Sequence, residues 1–158
     1  MKPWERWSFN ALHMVVAATG VAYFYMKYLL RSDDPFAVIN HPWESSMLAV
    51  HIMAAPFFIL IFGILLRSHI LTKLLSNNRP ARRSGWFSIL SFTGMAVSGY
   101  LLQIGADQVW LRVLMVTHIG TSVVFVIGYV THLVVGWRLP KTTAVTQVPT
   151  PVLPGLAP

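Results

Sequence analysis

The chain has 158 residues, 55% of them hydrophobic and 11% charged, with a formal net charge of +7. So apolar a composition excludes an ordinary soluble domain and makes a small polytopic membrane protein the expectation. The absence of cysteine excludes disulfides, thiolate-held iron–sulfur clusters and covalent c-type haem, and the basic residues sit at the ends of apolar runs, which argues against nucleic acid as a partner.

The N-terminal residues Lys2-Pro3-Trp4-Glu5-Arg6-Trp7 set two tryptophans beside basic residues and read as an interfacial anchor. The first apolar run, about 9–30, is too long for the apolar core of a signal peptide and lacks a small-residue cleavage site, so it is predicted to be a helix. Asn10 and His13 lie near its start and Lys27 near its end, where a lysine can snorkel to the surface. A polar loop, 31–46, carries Asp33, Asp34, His41 and Glu44. The second helix is predicted over about 47–66, with His51 one turn in and Pro56 inside it, where a lost backbone hydrogen bond predicts a kink. The next connection, 67–85, carries Arg67, His69, Lys73, Arg79, Arg82 and Arg83 and no acid. The third helix is predicted over about 86–104 and the fourth over about 110–137. Residues 140–158 are proline-rich and predict a polyproline-like or disordered tail. No internal repeat strong enough to use stands out.

The fourth run carries His118 and His132 and, past Arg112, no charged residue. Fourteen residues of helix rise roughly 21 Å and end within roughly 40° of whole turns. Both rings therefore leave one face, one near each side of a bilayer core about 30 Å thick. Nine of the twelve Lys and Arg residues lie in the N-terminus, the 67–85 connection and the C-terminal flank, which predicts both termini in the cytoplasm. His13 then falls near the cytoplasmic face, His51 and His118 in the outer half, and His132 near the cytoplasm.

An ionisable residue inside a membrane is a functional hypothesis by default, because its burial is costly. The four histidines close as two pairs, His51 with His118 outside and His13 with His132 inside, and two pairs of axial imidazoles suit two haem b groups. The blander reading of any one of them is a packed ring bonded to a backbone carbonyl. His69, five helical turns after His51, falls on the same face and competes with His13 for His132. A headgroup, propionate or quinone contact is the preferred role for it. Arg112 is a candidate contact for an outer haem propionate, or an interfacial anchor. Gly20, Gly120 and Gly128 would let a flat porphyrin lie against backbone. The expected fold is an all-α polytopic four-helix bundle over 1–139, with haem groups between the helices.

One histidine each on the first two helices, and two spaced by fourteen on the fourth, resembles the di-haem cytochrome b membrane subunits of formate dehydrogenases and nickel–iron hydrogenases. It is similar also to the bacterial cytochrome b561 group, over about residues 9–138. The segments HPWESSMLAVHIMAAPFFILIFGILLRSH and GWFSILSFTGMAVSGYLLQ look more like a smaller relative seen beside multihaem c-type cytochromes. The resemblance implies bis-histidine b haems on His13, His51, His118 and His132. It implies exchange of a quinone, menaquinone or ubiquinone, beside the cytoplasmic haem, where Asn10, Arg67 and His69 are the polar groups at hand. His41, Glu44 and Asp107 form a rival set outside. It further implies a multi-pass protein of the bacterial cytoplasmic membrane with an extracytoplasmic redox partner, a c-type cytochrome or iron–sulfur protein. The chain is then the electron-transfer subunit of an oxidoreductase complex. Two other readings stand beside it: a self-contained enzyme of the cytochrome b561 kind acting on superoxide or a small reductant, and a non-redox transporter or assembly protein using histidines for metal or protons.

Overall fold

The computed structural model describes residues 2–34, 36–75 and 79–138, so the proline-rich stretch 140–158 lies outside the described residues. Helix is the only regular structure among them. Helix α1 is Pro3–Phe24 and continues as a π-helical turn, Tyr25–Leu29. Helix α2 is Glu44–Leu65; it continues as a second π-helical turn, Leu66–Ile70, and the short α3, Leu71–Leu74. Helices α4, Arg79–Ile104, and α5, Gln108–Arg138, complete the chain. Four spans, Pro3–Leu29, Glu44–Ile70, Gly85–Ile104 and Gln108–Val134, are long and apolar enough to cross a membrane. The expected all-α, four-span plan is the one found.

The helix starts have local causes. Pro3 suits a first helical position, where a missing N–H costs nothing, and the Glu5 carboxylate accepts the Lys2 N–H at 2.8 Å. Helix α1 therefore begins six residues ahead of the expected start. Asp107 accepts the N–H groups of Val109 and Trp110 at 3.0 and 2.9 Å, as an N-cap does, and starts α5 early. Helix α2 runs through Pro56 without interruption.

The helices pair as two hairpins, α1 with α2 and α4 with α5. The first hairpin is clasped at both ends by a buried glutamate, and a buried carboxylate requires partners. At one end Lys27 Nζ lies 2.9 Å from Glu44 Oε1. Glu44 Oε2 accepts the Asn40 N–H at 3.1 Å, and the Asn40 amide donates to the Lys27 carbonyl, also at 3.1 Å. At the other end Ser68 Oγ donates to Glu5 Oε2 at 3.3 Å. Between the hairpins lies a core of Phe9, Val16, Phe58, Ile61, Phe62, Leu65, Phe92 and Phe125, with Phe62 stacked on Phe92 at 3.6 Å between ring centroids. Met14, Val21, Leu60, Leu90 and Val116 are exposed on the outside. Helices that satisfy their own backbone and turn apolar side chains outward suit lipid, and the chain has the architecture of a multi-pass membrane protein.

The two hairpins repeat each other, which the sequence alone did not reveal. At one constant offset, Trp7, Val16, Thr19 and Gly20 of α1 correspond to Trp86, Met95, Ser98 and Gly99 of α4. At another, Trp43 at the start of α2 and His51, Phe58 and Phe62 within it correspond to Trp110, His118, Phe125 and Tyr129 of α5. The contacts repeat too. Thr19 Oγ1 donates to the Val15 carbonyl at 2.7 Å, and Ser98 Oγ to the Gly94 carbonyl at 2.6 Å. Phe58 meets its own counterpart Phe125 at 6.2 Å, and His51 meets His118 at 6.2 Å. Both hairpins traverse the membrane in the same order, so the pseudo-two-fold axis lies along the bilayer normal.

Candidate functional site

The first pair of histidines sits on that axis. Each ring reaches from the second helix of its hairpin to the first. His51 Nδ1 lies 2.9 Å from the Val16 carbonyl, and His118 Nδ1 lies 2.9 Å from the Met95 carbonyl. A carbonyl only accepts, so Nδ1 carries the hydrogen in both rings and Nε2 keeps its lone pair. Thr19 Oγ1 adds a longer contact to His51 Nδ1 at 3.4 Å. The rings fit because the facing helix is notched. A Cβ on Gly20 would lie 2.9 Å from His51 Cε1, and a Cβ on Gly99 would lie 2.9 Å from His118 Cε1. The ring centroids are 6.2 Å apart and the planes cross at 88°.

This spacing has a chemical meaning. An imidazole nitrogen binds a metal at about 2.0–2.1 Å. The nitrogen lies about 1.1 Å from its own ring centre, so two imidazoles on opposite sides of one metal ion have centroids roughly 6.3 Å apart. The His51–His118 separation matches that value.

A second pair matches it as well, but with a different member from the one expected. His132 faces His69, with centroids 6.4 Å apart and planes at 67°. The expected partnership of His13 with His132 is not the arrangement found. His13 is buried among Phe9, Phe58, Phe125 and Tyr129, at centroid distances of 5.8, 5.6, 5.7 and 4.3 Å. Two local causes explain the exchange. Helix α1 starts at Pro3, which sets His13 roughly 15 Å into the helix instead of near its end. Helix α2 extends past its expected end through the Leu66–Ile70 π turn, which carries His69 and re-aims it.

The other expected contacts divide by face. Tyr129 OH donates to Asn10 Oδ1 at 2.7 Å, and Arg67 is exposed in the turn that holds His69. Arg112 is exposed on α5, six residues before His118. His41 Nδ1 accepts the Trp43 N–H at 3.1 Å. His41, Glu44 and Asp107 are thus all engaged in loop, clasp or helix-start hydrogen bonds. Of the three glycines expected to matter, Gly20 meets a histidine ring, Gly128 lies 3.7 Å from Phe87, and Gly120 has open space around its Cβ position.

Sequence reasoning passed over Gly99 and the Val16 and Met95 carbonyls as parts of the site. The signal was present as two matched pentads, VAATG and MAVSG, each ending in a small hydroxyl residue and glycine. Among the described residues, no group of three or more His, Cys, Asp or Glu could hold a metal ion; the histidines come in twos. No protein family, curated protein or solved structure matches the chain.

The notches reverse an ordinary substitution effect. Gly→Ala inside a helix normally stabilises by about 0.5–1 kcal/mol, and Gly63, with nothing near its Cβ position, is expected to follow that rule. Gly20→Ala and Gly99→Ala drive a methyl into an imidazole and are expected to destabilise instead. Thermal unfolding of the three variants in one detergent measures the contrast. A rise in Tm for all three would contradict the tight ring–glycine contact.

Proposed function

We propose that the chain is a membrane electron carrier with two b-type haems, one between His51 and His118 and one between His69 and His132, passing electrons between a quinol or quinone and a redox partner. The observation that carries this reading is the spacing of two imidazole pairs, 6.2 and 6.4 Å, at the separation that two axial ligands of one iron require. Their pairing suits haem better than a bare ion. A bare zinc-like ion takes three or four protein ligands, whereas a porphyrin brings four nitrogens and asks for two more. The levels, set by His118 and His132, are roughly 21 Å apart along α5, enough to bridge much of a bilayer core of about 30 Å. The resemblance to di-haem cytochrome b subunits supports the same reading, with His69 taking the place given to His13.

When bound, the haems would supply reversible one-electron chemistry, held by His51, His118, His69 and His132. The chain's residues do the rest. The Val16 and Met95 carbonyls fix the outer imidazoles in the Nδ1–H tautomer and raise the basicity of Nε2, as outer-shell partners of metal-bound histidines do. Gly20 and Gly99 admit the rings. Phe58, Phe62, Phe92 and Phe125 fill the space between the levels and exclude water.

Direction is supported by charge. Arg and Lys concentrate at the N-terminus, in 67–85 and in the C-terminal flank, which favours both termini, and with them the His69–His132 pair, on the cytoplasmic side. Exchange of a menaquinone or ubiquinone is favoured there, because the exposed Arg67 stands at that end beside the His69 turn, while Glu44 is buried in an ion pair with Lys27. The opposite face then receives the extracytoplasmic redox partner, a c-type cytochrome or iron–sulfur protein.

Pyridine haemochrome on the purified protein should count two haems per chain. His51→Ala, His118→Ala, His69→Ala and His132→Ala should each retain one, and His13→Ala both. Loss of a haem in His13→Ala with two kept in His69→Ala would restore His13 as the ligand. A wild-type chain without haem bands would favour a histidine-using transporter. A reporter fused at the C-terminal end should read as cytoplasmic and one inserted in 33–40 as external; the reverse would exchange the faces of the two haem levels.

A further inference from the structure

His13 is the point where the repeated hairpins differ most in chemistry. Its counterpart is Phe92, and three of its four ring neighbours have ring counterparts; the fourth, Phe9, has Ser88. His13 meets Tyr129 at 4.3 Å and Phe125 at 5.7 Å. Phe92 meets Phe62 at 3.6 Å and Phe58 at 5.5 Å. A phenyl ring therefore fills this place in the fold. The imidazole is 7% exposed, and its Nδ1 has no hydrogen-bond partner among the described residues. Burying such a group is costly, and packing does not demand it.

Around His13 two further places are polar where the other hairpin is apolar, while Ser88 and Ser91 stand where α1 has Phe9 and Leu12. Tyr129 stands where the other hairpin has Phe62, and Asn10 where it has Ile89. The Tyr129 hydroxyl donates to Asn10 at 2.7 Å, and both are half-buried. They set two polar groups close to His13, Asn10 three residues before it on α1 and Tyr129 in ring contact with it. In depth, His13 touches Phe125 and Tyr129, which lie between His118 and His132 on α5.

We infer that His13 is a redox-linked proton acceptor of the electron carrier, taking a proton at Nδ1 when an electron arrives and giving it up when the electron passes on. The inference rests on the two-haem reading above. An electron brought into an apolar interior adds a charge that is weakly screened, and a proton at His13 offsets it. The coupling is reciprocal: the electron raises the proton affinity of Nδ1, and the proton raises the electron affinity of the nearby level by the same factor. Imidazole suits this task because its ordinary pKa lies near neutrality. Quinol would be the reductant, each molecule giving two electrons and two protons, and the haems would take the electrons one at a time. A proton from the aqueous side nearest Asn10 would be taken up at Nδ1, and the only bond made or broken at His13 is N–H.

The surrounding groups leave this role to His13. Helix α5 presents Tyr129 and Phe125 and helix α2 Phe58, with Phe92 of α4 packed against Phe58. On α1, Glu5 lies two turns nearer the inner end, held by the Lys2 N–H and Ser68 Oγ. The imidazoles of His51, His69, His118 and His132 are assigned to iron.

The test is a redox titration of the two spectrally resolved haems in the purified holoprotein at a series of pH values. In wild type, the inner haem's reduction constant should fall by up to tenfold per pH unit, about 59 mV for one electron, across the range where His13 titrates. His13→Phe, the residue its counterpart already carries, should keep both haems and reduce that slope at least threefold. An unchanged slope with both haems retained, or a flat wild-type profile, would overturn the inference. Loss of a haem in His13→Phe would make His13 a ligand and overturn it too, whereas a haem-free wild type would first overturn the two-haem reading. Should His13→Phe not accumulate, His13→Gln is measured in the same way. Redox-difference infrared spectra of wild type with ¹⁵N-labelled histidine must also show an imidazolium band on reduction; its absence would count against His13.

Discussion

The structure depends on one interaction made twice: an imidazole reaching across a helix pair to a backbone carbonyl. His51 to Val16 and His118 to Met95, each at 2.9 Å, join the helices of their hairpins in an apolar setting where such a bond is not lost to water. The same bond decides the tautomer and frees Nε2. It also dictates what the facing helix carries, since only glycine leaves room for a ring at 2.9 Å from where a Cβ would be. Helix pairing, tautomer and ring placement therefore come from the same few atoms.

Repetition of this unit explains the symmetry at the His51–His118 level and the irregularity at the His69–His132 level. At the first, equivalent residues face each other across the axis: His51 with His118, and Phe58 with Phe125. The second pair is not related by the axis. The counterpart of His69 is Gly136 and that of His132 is Leu65. Departure from symmetry supplies this pair, through the π turn Leu66–Ile70 on one helix and a histidine in place of a buried leucine on the other. His13 and Phe92 are a third departure, on the same side as Asn10 and Tyr129.

Much of this was legible in the sequence, and the exceptions have physical causes. Long apolar runs bounded by charged and proline-bearing turns define four spans whatever the details of packing. The closeness of the His51 and His118 rings was legible from depth. That of His69 and His132 was less so, because depth depends on where a helix starts and on its winding, and Pro3 and the π turn bear on both. Local spacing rules assume α-helical rotation, and one wider turn breaks them. The repeat was hidden because it is written in residue classes. Thr19 stands for Ser98, Val16 for Met95, and Phe62 for Tyr129, and each pair is equivalent only when its contacts are seen.

The two levels also differ in the angle between their rings, 88° for His51–His118 and 67° for His69–His132. Ligand planes that cross at right angles leave the two iron orbitals of π symmetry nearly equal in energy, which enlarges the anisotropy of a low-spin ferric signal. Electron paramagnetic resonance of the oxidised wild-type protein therefore reads the proposed ligand geometry directly. Two low-spin haems are predicted, one of them strongly anisotropic and lost in His118→Ala. A high-spin ferric signal, or no haem signal at all, would contradict the assignment of the paired histidines.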